Sequence, residues 1–182
     1  MRKVMRSKWL KSLLLVALVP FVAQCGDESE IVLEDPECFV EGFEGGDYAF
    51  TVDVERIEDR CTGGLLNSYI VPGPWGPFLL PGEQDPPQDI TVTLPFVGQV
   101  TGTVSWNGAA LRLVVWQPIQ ITGIVVPVFG AVDVTARVSA DFCPVSQEQV
   151  DGVLTITILE TQPEVINTPC QVTAPAVGSF QG

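Results

Sequence analysis

Alternation of apolar and polar residues is the feature that most limits the folds open to this chain. In residues 48–56, YAFTVDVER, apolar side chains occupy every second position from Tyr48 to Val54. This period of two is typical of a β-strand with one buried face. The same signature recurs in segments 90–95, 100–106, 109–116, 119–128, 131–139, 152–160 and 170–177. We find no long apolar stripe with the 3.6-residue period of a helix.

Turn residues between these segments predict antiparallel connections. Asn107-Gly108 separates two alternating runs, and this dipeptide is the strongest short signal for a two-residue hairpin. About eight short strands with turns between them predict an all-β fold, either an antiparallel β-sandwich or a small β-barrel. We expect a single β domain over residues 38–182, a length that suits one core.

A proline-rich segment, residues 71–89, interrupts the alternation. Its six prolines exclude a regular central strand, so we predict a long irregular connection. It contains the apolar residues Trp75, Phe78, Leu79 and Leu80, which make it a candidate interaction loop. A crossover that only caps one end of the core is the preferred interpretation, because aromatic residues in loops commonly just pack.

The N-terminus has the anatomy of an export signal. Five basic residues before position 12 precede an uncharged stretch, residues 12–23. That stretch is shorter than the ~20 residues that a membrane-spanning helix needs. Cleavage after Ala23 would place Phe21 at the −3 position, and cleavage after Gln24 would place a long polar side chain at −1. Neither is the small-residue site of an ordinary secreted protein.

The segment Val22-Ala23-Gln24-Cys25 resembles the lipobox of bacterial lipoprotein precursors. The resemblance implies that residues 1–24 are a removed signal and that Cys25 is acylated and anchors the protein to the membrane. Gly26 after the cysteine implies sorting to the bacterial outer membrane or cell surface. Residues 25–37 then form an acidic tether. The alternative is a secreted protein in which Cys25 is incidental.

Four cysteines remain once Cys25 is assigned to lipid. Cys38, Cys61, Cys143 and Cys170 can form two disulfides, which persist in an oxidising compartment. A zinc site is disfavoured because no two of them have close metal-ligand spacing. Three connectivities are open. We favour Cys38–Cys61 with Cys143–Cys170, since each pair brackets one segment near an end of the domain.

The charge of the chain excludes several classes of function. After residue 24 the chain has four arginines, all 22 acidic residues, and neither lysine nor histidine, which gives a formal charge of −18. Catalysis by Ser-His-Asp, Cys-His or Ser-Lys groups is therefore excluded, and nucleic-acid binding is disfavoured. The acidic clusters 41–47 and 83–89 lack the EF-hand pattern and are interpreted as solvated surface. We predict no cofactor and no metal site.

Two hypotheses for function follow. The first is a non-enzymatic, envelope-associated lipoprotein whose β domain binds an unknown protein partner and has a filled core. The second is a carrier of a small apolar ligand, similar to lipocalins in general layout only; such a barrel would hold a large dry cavity. A hydrolase that uses two carboxyl groups is a more distant alternative.

Overall fold

The computed structural model describes residues 38, 40–64, 66–94, 97–126 and 129–182. The predictions for residues 1–37, namely the signal, the acylated Cys25 and the acidic tether, lie outside these described residues. The described residues form ten strands: β1 (Gly45–Val52), β2 (Glu58–Asp59), β3 (Trp75–Pro81), β4 (Gln88–Leu94), β5 (Gly98–Asn107), β6 (Ala110–Val115), β7 (Ile119–Val126), β8 (Gly130–Pro144), β9 (Gln149–Gln162) and β10 (Cys170–Phe180). Two single turns of 3₁₀ helix, Val54–Arg56 and Asn67–Tyr69, lie between β1 and β3.

Eight of these strands form a nearly closed barrel. They pair antiparallel in the order β3-β1-β10-β9-β8-β6-β5-β4, and the two outer strands β3 and β4 contact each other. The predicted all-β antiparallel fold is thus confirmed, in its barrel form. The hairpin predicted at Asn107-Gly108 is also confirmed, although its turn lies one residue later: Asn107 pairs with Ala110, so Gly108 and Ala109 are the turn residues.

The other two strands extend the long strands of the barrel. β6 and β7 follow each other along one edge of β8, and β2 pairs with the start of β10. Tyr69, in the connection from β2 to β3, covers part of the outer edge of β7. Its hydroxyl donates to the carbonyl of Val125 at 3.2 Å and accepts from the Val125 N–H at 3.0 Å. A side chain therefore occupies the place of a strand partner at this position.

The barrel has two distinct ends. The Cys38 end, as we call it, contains Cys38, residues 40–44, the β3–β4 turn (residues 82–87) and the β8–β9 turn (residues 145–148). The opposite Cys61 end contains the long β1–β3 connection and the β9–β10 connection (residues 163–169). At the Cys38 end Gln147 donates its side-chain amide to the carbonyl of Gly42 at 2.8 Å, and the buried Tyr48 donates its hydroxyl to the carbonyl of Gln147 at 2.7 Å.

Side chains fill the barrel interior. A row of aromatic rings crosses it: Phe50 stacks on Phe78 with ring centroids 5.8 Å apart and lies 4.6 Å from the ring of Phe142. Glycines leave room for these rings. A Cβ on Gly178 would lie 2.6 Å from the Phe50 ring, and one on Gly152 would lie 2.4 Å from the Phe142 ring. The alternation in the sequence thus becomes a packed apolar core.

The disulfides join different cysteines from the pairs favoured on sequence. Cys38 is bonded to Cys143 and Cys61 to Cys170, with Cα atoms 4.9 and 5.3 Å apart. The favoured pairs were wrong because each brackets a single barrel strand, β1 or β9, and a barrel strand carries the chain from one end of the barrel to the other. At about 3.3 Å per residue, β1 (8 residues) and β9 (14 residues) span roughly 25 and 45 Å.

The proline-rich segment is more regular than predicted. Residues 75–81 form the strand β3, and β4 already begins at Gln88. β3 is an outer strand that pairs only with β1 among the described strands. This position explains why its prolines are tolerated, since an outer strand can direct a missing N–H away from the ladder. The exclusion of a central strand was correct, whereas the prediction of an irregular connection over the whole segment was not.

Candidate functional site

The seam between β3 and β4 is the most distinctive surface of the barrel. These two strands contact each other, but no hydrogen-bonded ladder joins them in the part of the chain that the structure describes. Both strands therefore present a free edge to the same gap. The two edges differ in the main-chain donors and acceptors that face the seam. The hydrogen bonds of the adjacent strands, β1 and β5, show which groups these are.

The edge of β3 is poor in donors. The Gln181 N–H donates to the carbonyl of Asp47 at 2.9 Å, which shows that Asp47 directs its main chain toward β10. Its pairing partner on β3, Leu79, therefore belongs to a non-hydrogen-bonded pair and directs its main chain toward the seam. Pro77 and Pro81, two residues to either side of Leu79, have no N–H and cannot donate to β4. The two missing donors reduce the number of hydrogen bonds that could join β3 to β4.

The edge of β4 has both main-chain donors and main-chain acceptors. The Trp116 N–H donates to the carbonyl of Thr101 at 3.1 Å, so Thr101 on β5 directs its main chain toward β6. Thr91 pairs with Thr101 and consequently directs its own N–H and carbonyl away from β5, into the seam. Asp89 and Thr93 share this orientation by alternation. β4 thus directs every second residue of this stretch into the seam, and each of the three has a main-chain donor and a main-chain acceptor.

A groove of about 380 Å³ occupies the seam toward the Cys61 end. Residues of the 71–78 segment form one wall, and Thr91 and Thr93 form the other. Trp75 is held in place by its indole N–H, which donates to the carbonyl of Val71 at 3.0 Å. Gly73 has a φ of 113° and approaches β1 so closely that a Cβ would lie 2.6 Å from the carbonyl oxygen of Phe50. The groove wall is therefore closely packed on β1.

Two aromatic residues separate this groove from the barrel interior. Trp75 and Phe78 line the groove and also a wholly apolar interior cavity of about 40 Å³. Both residues are half-buried. The groove is lined by Val, Thr, Pro and aromatic side chains and by two glycines, and these are groups that bind rather than transfer protons.

The four residues of the predicted interaction loop have different positions. Trp75 and Phe78 come together at the groove, whereas Leu80 is 2 % exposed and belongs to the core. Leu79 is 49 % exposed on the outer face of β3. Sequence reasoning missed Thr91 and Thr93, which were identified only as the polar positions of a strand.

Another exposed aromatic side chain was also missed. Trp116, 56 % exposed, lies on the outer face two strands from the seam and donates its indole N–H to the hydroxyl of Thr103 at 2.7 Å. Its place at the end of an alternating run, before Gln117-Pro118, indicated a strand end but not a surface position.

Acidic residues lie where the seam meets the Cys38 end. Glu83 and Asp85 belong to the β3–β4 turn, and Asp89 is the first seam-facing residue of β4. The Gly42 N–H donates to Glu83 at 3.2 Å, and the Gly82 N–H donates to Asp85 at 2.9 Å. Neither of the two ion pairs seen among the described residues, Arg60–Glu58 and Arg112–Asp141, includes one of these three carboxylates. The same residues contain no cluster of side chains suited to a metal ion.

A separate polar cluster organises the loop that contains Cys61. The carboxylate of Asp59 accepts hydrogen bonds from the N–H groups of Cys61, Thr62, Gly64 and Leu66 at 2.8–3.2 Å and from the Thr62 hydroxyl. Burial disfavours the charged carboxylate, but the hydrogen bonds from Thr62, Cys61 and Leu66 outweigh it and hold the pKa of Asp59 below its ordinary value. All of these donors belong to the loop itself, so the cluster is structural.

Within the described part of the chain, no helix has the length and apolar character needed to cross a membrane. No protein-family model, no curated protein and no solved structure matches this chain.

Proposed function

We propose that this protein is an exported lipoprotein, anchored through Cys25 at the bacterial outer membrane or cell surface, whose β domain binds a partner without catalysing a reaction. The observation that carries the binding role is the seam groove, with an aromatic wall on β3 and an unpaired strand edge on β4. Both features are costly to leave exposed, because an open edge invites unwanted pairing. A binding role explains why the barrel retains them.

Two further observations support the proposal. The two disulfides suit an oxidising compartment outside the cytoplasm, where such bonds persist. The filled interior favours partner binding over the carrying of a small apolar ligand. Its cavity of about 40 Å³ is far smaller than the roughly 300 Å³ or more that a drug-sized ligand occupies.

A photo-crosslinking amino acid placed at the groove tests this proposal in the native host. We would introduce it at Thr93, whose side chain is exposed beside the groove, and as a control at Arg137, which is exposed on β8 away from the seam. We expect a discrete adduct from position 93 and none from position 137. No adduct at 93, or the same adducts at both positions, would argue against binding at the seam.

A further inference from the structure

We infer that the partner contributes an extended polypeptide segment, which adds to the free edge of β4 as a further strand. The inference rests on the proposed function and specifies which kind of ligand the β domain binds. Strand addition uses main-chain hydrogen bonds for affinity and pockets for alternate side chains for specificity. The seam supplies both features in one place.

The main-chain groups of β4 determine where the segment binds. Asp89, Thr91 and Thr93 direct N–H and carbonyl groups into the seam, as shown by the hydrogen bond from Trp116 to Thr101. An added strand can satisfy all of them in the regular pattern of an antiparallel ladder. β3 offers fewer hydrogen bonds to the same strand, because Pro77 and Pro81 have no N–H. The prolines therefore direct the segment to β4.

The groove determines which side chains the segment carries. Successive side chains of a strand point to opposite faces, so every second residue of the added strand faces the barrel. There it meets the wall formed by Trp75 and Phe78, behind which lies the apolar interior. Apolar side chains at alternate positions suit this wall. No charged side chain lines the groove, so the middle of the segment is uncharged.

Charge complementarity determines the end of the segment and its source. Glu83, Asp85 and Asp89 lie at the Cys38 end of the seam, and neither ion pair seen among the described residues includes one of them. A lysine or arginine at that end of the segment would pair with them. A second copy of this chain is a poor occupant, because it has the same strongly negative charge. The partner is therefore a different polypeptide, with alternating apolar residues and a basic end.

The test measures amide hydrogen exchange in the whole mature protein. The probe is a synthetic pool of eight-residue peptides with apolar residues at alternate positions, uncharged polar residues between them and a Lys-Arg pair at one end. We expect a saturating amount of the pool to slow exchange at the Thr91 and Thr93 amides about tenfold or more. The Thr101 amide, which faces β6, should not change.

A matched pair of variants separates strand addition from other modes of binding. Thr91→Pro removes a donor that faces the seam, which an outer strand tolerates, whereas Thr91→Val retains the donor and changes only the side chain. We expect Thr91→Pro to weaken peptide binding about tenfold or more, and Thr91→Val, which keeps the main-chain donor, to weaken it much less than Thr91→Pro does. If Thr91→Pro does not fold, peptides N-methylated at alternate residues remove the same hydrogen bonds from the other side and should lose binding to the natural protein.

Several results would overturn the inference. Equal binding by Thr91→Pro would do so, as would protection that appears elsewhere on the barrel. A dimer in which Thr91 is protected without peptide would identify a second copy as the occupant. If the pool does not bind although the crosslinker at Thr93 captures a partner, strand addition is wrong while the proposed function stands. If the pool binds but the crosslinker captures nothing in the host, the proposed function fails instead.

Discussion

A single carboxylate organises the loop through which the chain passes from β1 to β3. Asp59 accepts hydrogen bonds from four main-chain N–H groups between residues 61 and 66, at distances of 2.8–3.2 Å. These groups would otherwise lack partners in a turn that has no regular ladder. The loop also contains Cys61, so the same carboxylate positions one half of a disulfide.

We expect Asp59→Asn to destabilise the fold at neutral pH by about 2 kcal/mol, because an amide accepts these hydrogen bonds less strongly than a carboxylate does. The pKa of Asp59 is lowered in the folded protein, so its contribution is complete above the unfolded value of about 3.9. The contribution is lost as the pH falls through the lower, folded pKa. Urea unfolding between pH 7 and pH 2 measures both effects.

The control for this prediction is Asp47→Asn, since Asp47 is exposed and its side chain accepts no hydrogen bond from the described residues. We expect its free energy of unfolding to stay within about 0.5 kcal/mol of the natural protein. An equal loss in both variants would show that net charge, and not the hydrogen bonds of Asp59, determines the stability.

At the scale of elements, each disulfide fixes an irregular segment to the end of a long strand. Cys38 precedes β1 and is bonded to Cys143 near the end of β8, while Cys61 follows β2 and is bonded to Cys170 at the start of β10. The short strand β2 holds Cys61 near Cys170, because Asp59 on β2 pairs with Val172 on β10. The bonds therefore hold both connections that flank β1, on which β3 and the groove wall are built.

We expect removal of either disulfide, as Cys38→Ala with Cys143→Ala or as Cys61→Ala with Cys170→Ala, to cost about 2–5 kcal/mol of stability. The two losses should be similar, because the bonds are separated by 105 and 109 residues along the chain. Thermal unfolding of the two double variants measures this. In a third variant, Cys38→Ala with Cys61→Ala, mass analysis of unreduced peptides should find no bond between Cys143 and Cys170. A bond between them would contradict the connectivity of the structure.

Across the whole molecule, charge is distributed unevenly along the chain. Residues 61–82 and 90–111 carry no charged side chain, and they include β3, most of β4 and all of β5. The groove thus lies between uncharged segments of a strongly acidic protein. Acidic repulsion can keep the rest of the surface soluble and unpaired while the seam stays accessible.

We expect Cys25→Ser to release the protein from the membrane fraction, because the proposed anchor is an acyl group on that thiol and stable anchoring needs more than one acyl chain. Cell fractionation and the intact mass of the protein measure the change. Gln24→Gly, which places a small residue before the cysteine, should remain lipidated and membrane-bound. Equal membrane association of Cys25→Ser and the natural protein would exclude this anchor.

Much of the architecture could be predicted from local sequence. The period-two alternation identified every barrel strand except β3, because burial of one face imposes that pattern along a strand. β3 was missed because its apolar residues are contiguous and its prolines mask the strand signal. The correct disulfides could have been found as well. Each barrel strand takes the chain from one end of the barrel to the other, so two cysteines at the same end must be separated by an even number of barrel strands. Each favoured pair is separated by one.

The sequence by itself determined the all-β class, the hairpin near Asn107, the excess of negative charge and the residue types available for chemistry. These properties depend on period, composition and neighbouring residues. Only the tertiary structure brought β3 beside β4, although the chain between them is short, and only it left their edges unpaired. Which main-chain groups face the seam depends on the register of strands distant in sequence, since Thr101 and Trp116 decide the orientation of Thr91. No local pattern in the sequence contains this register, and the candidate site depends on it.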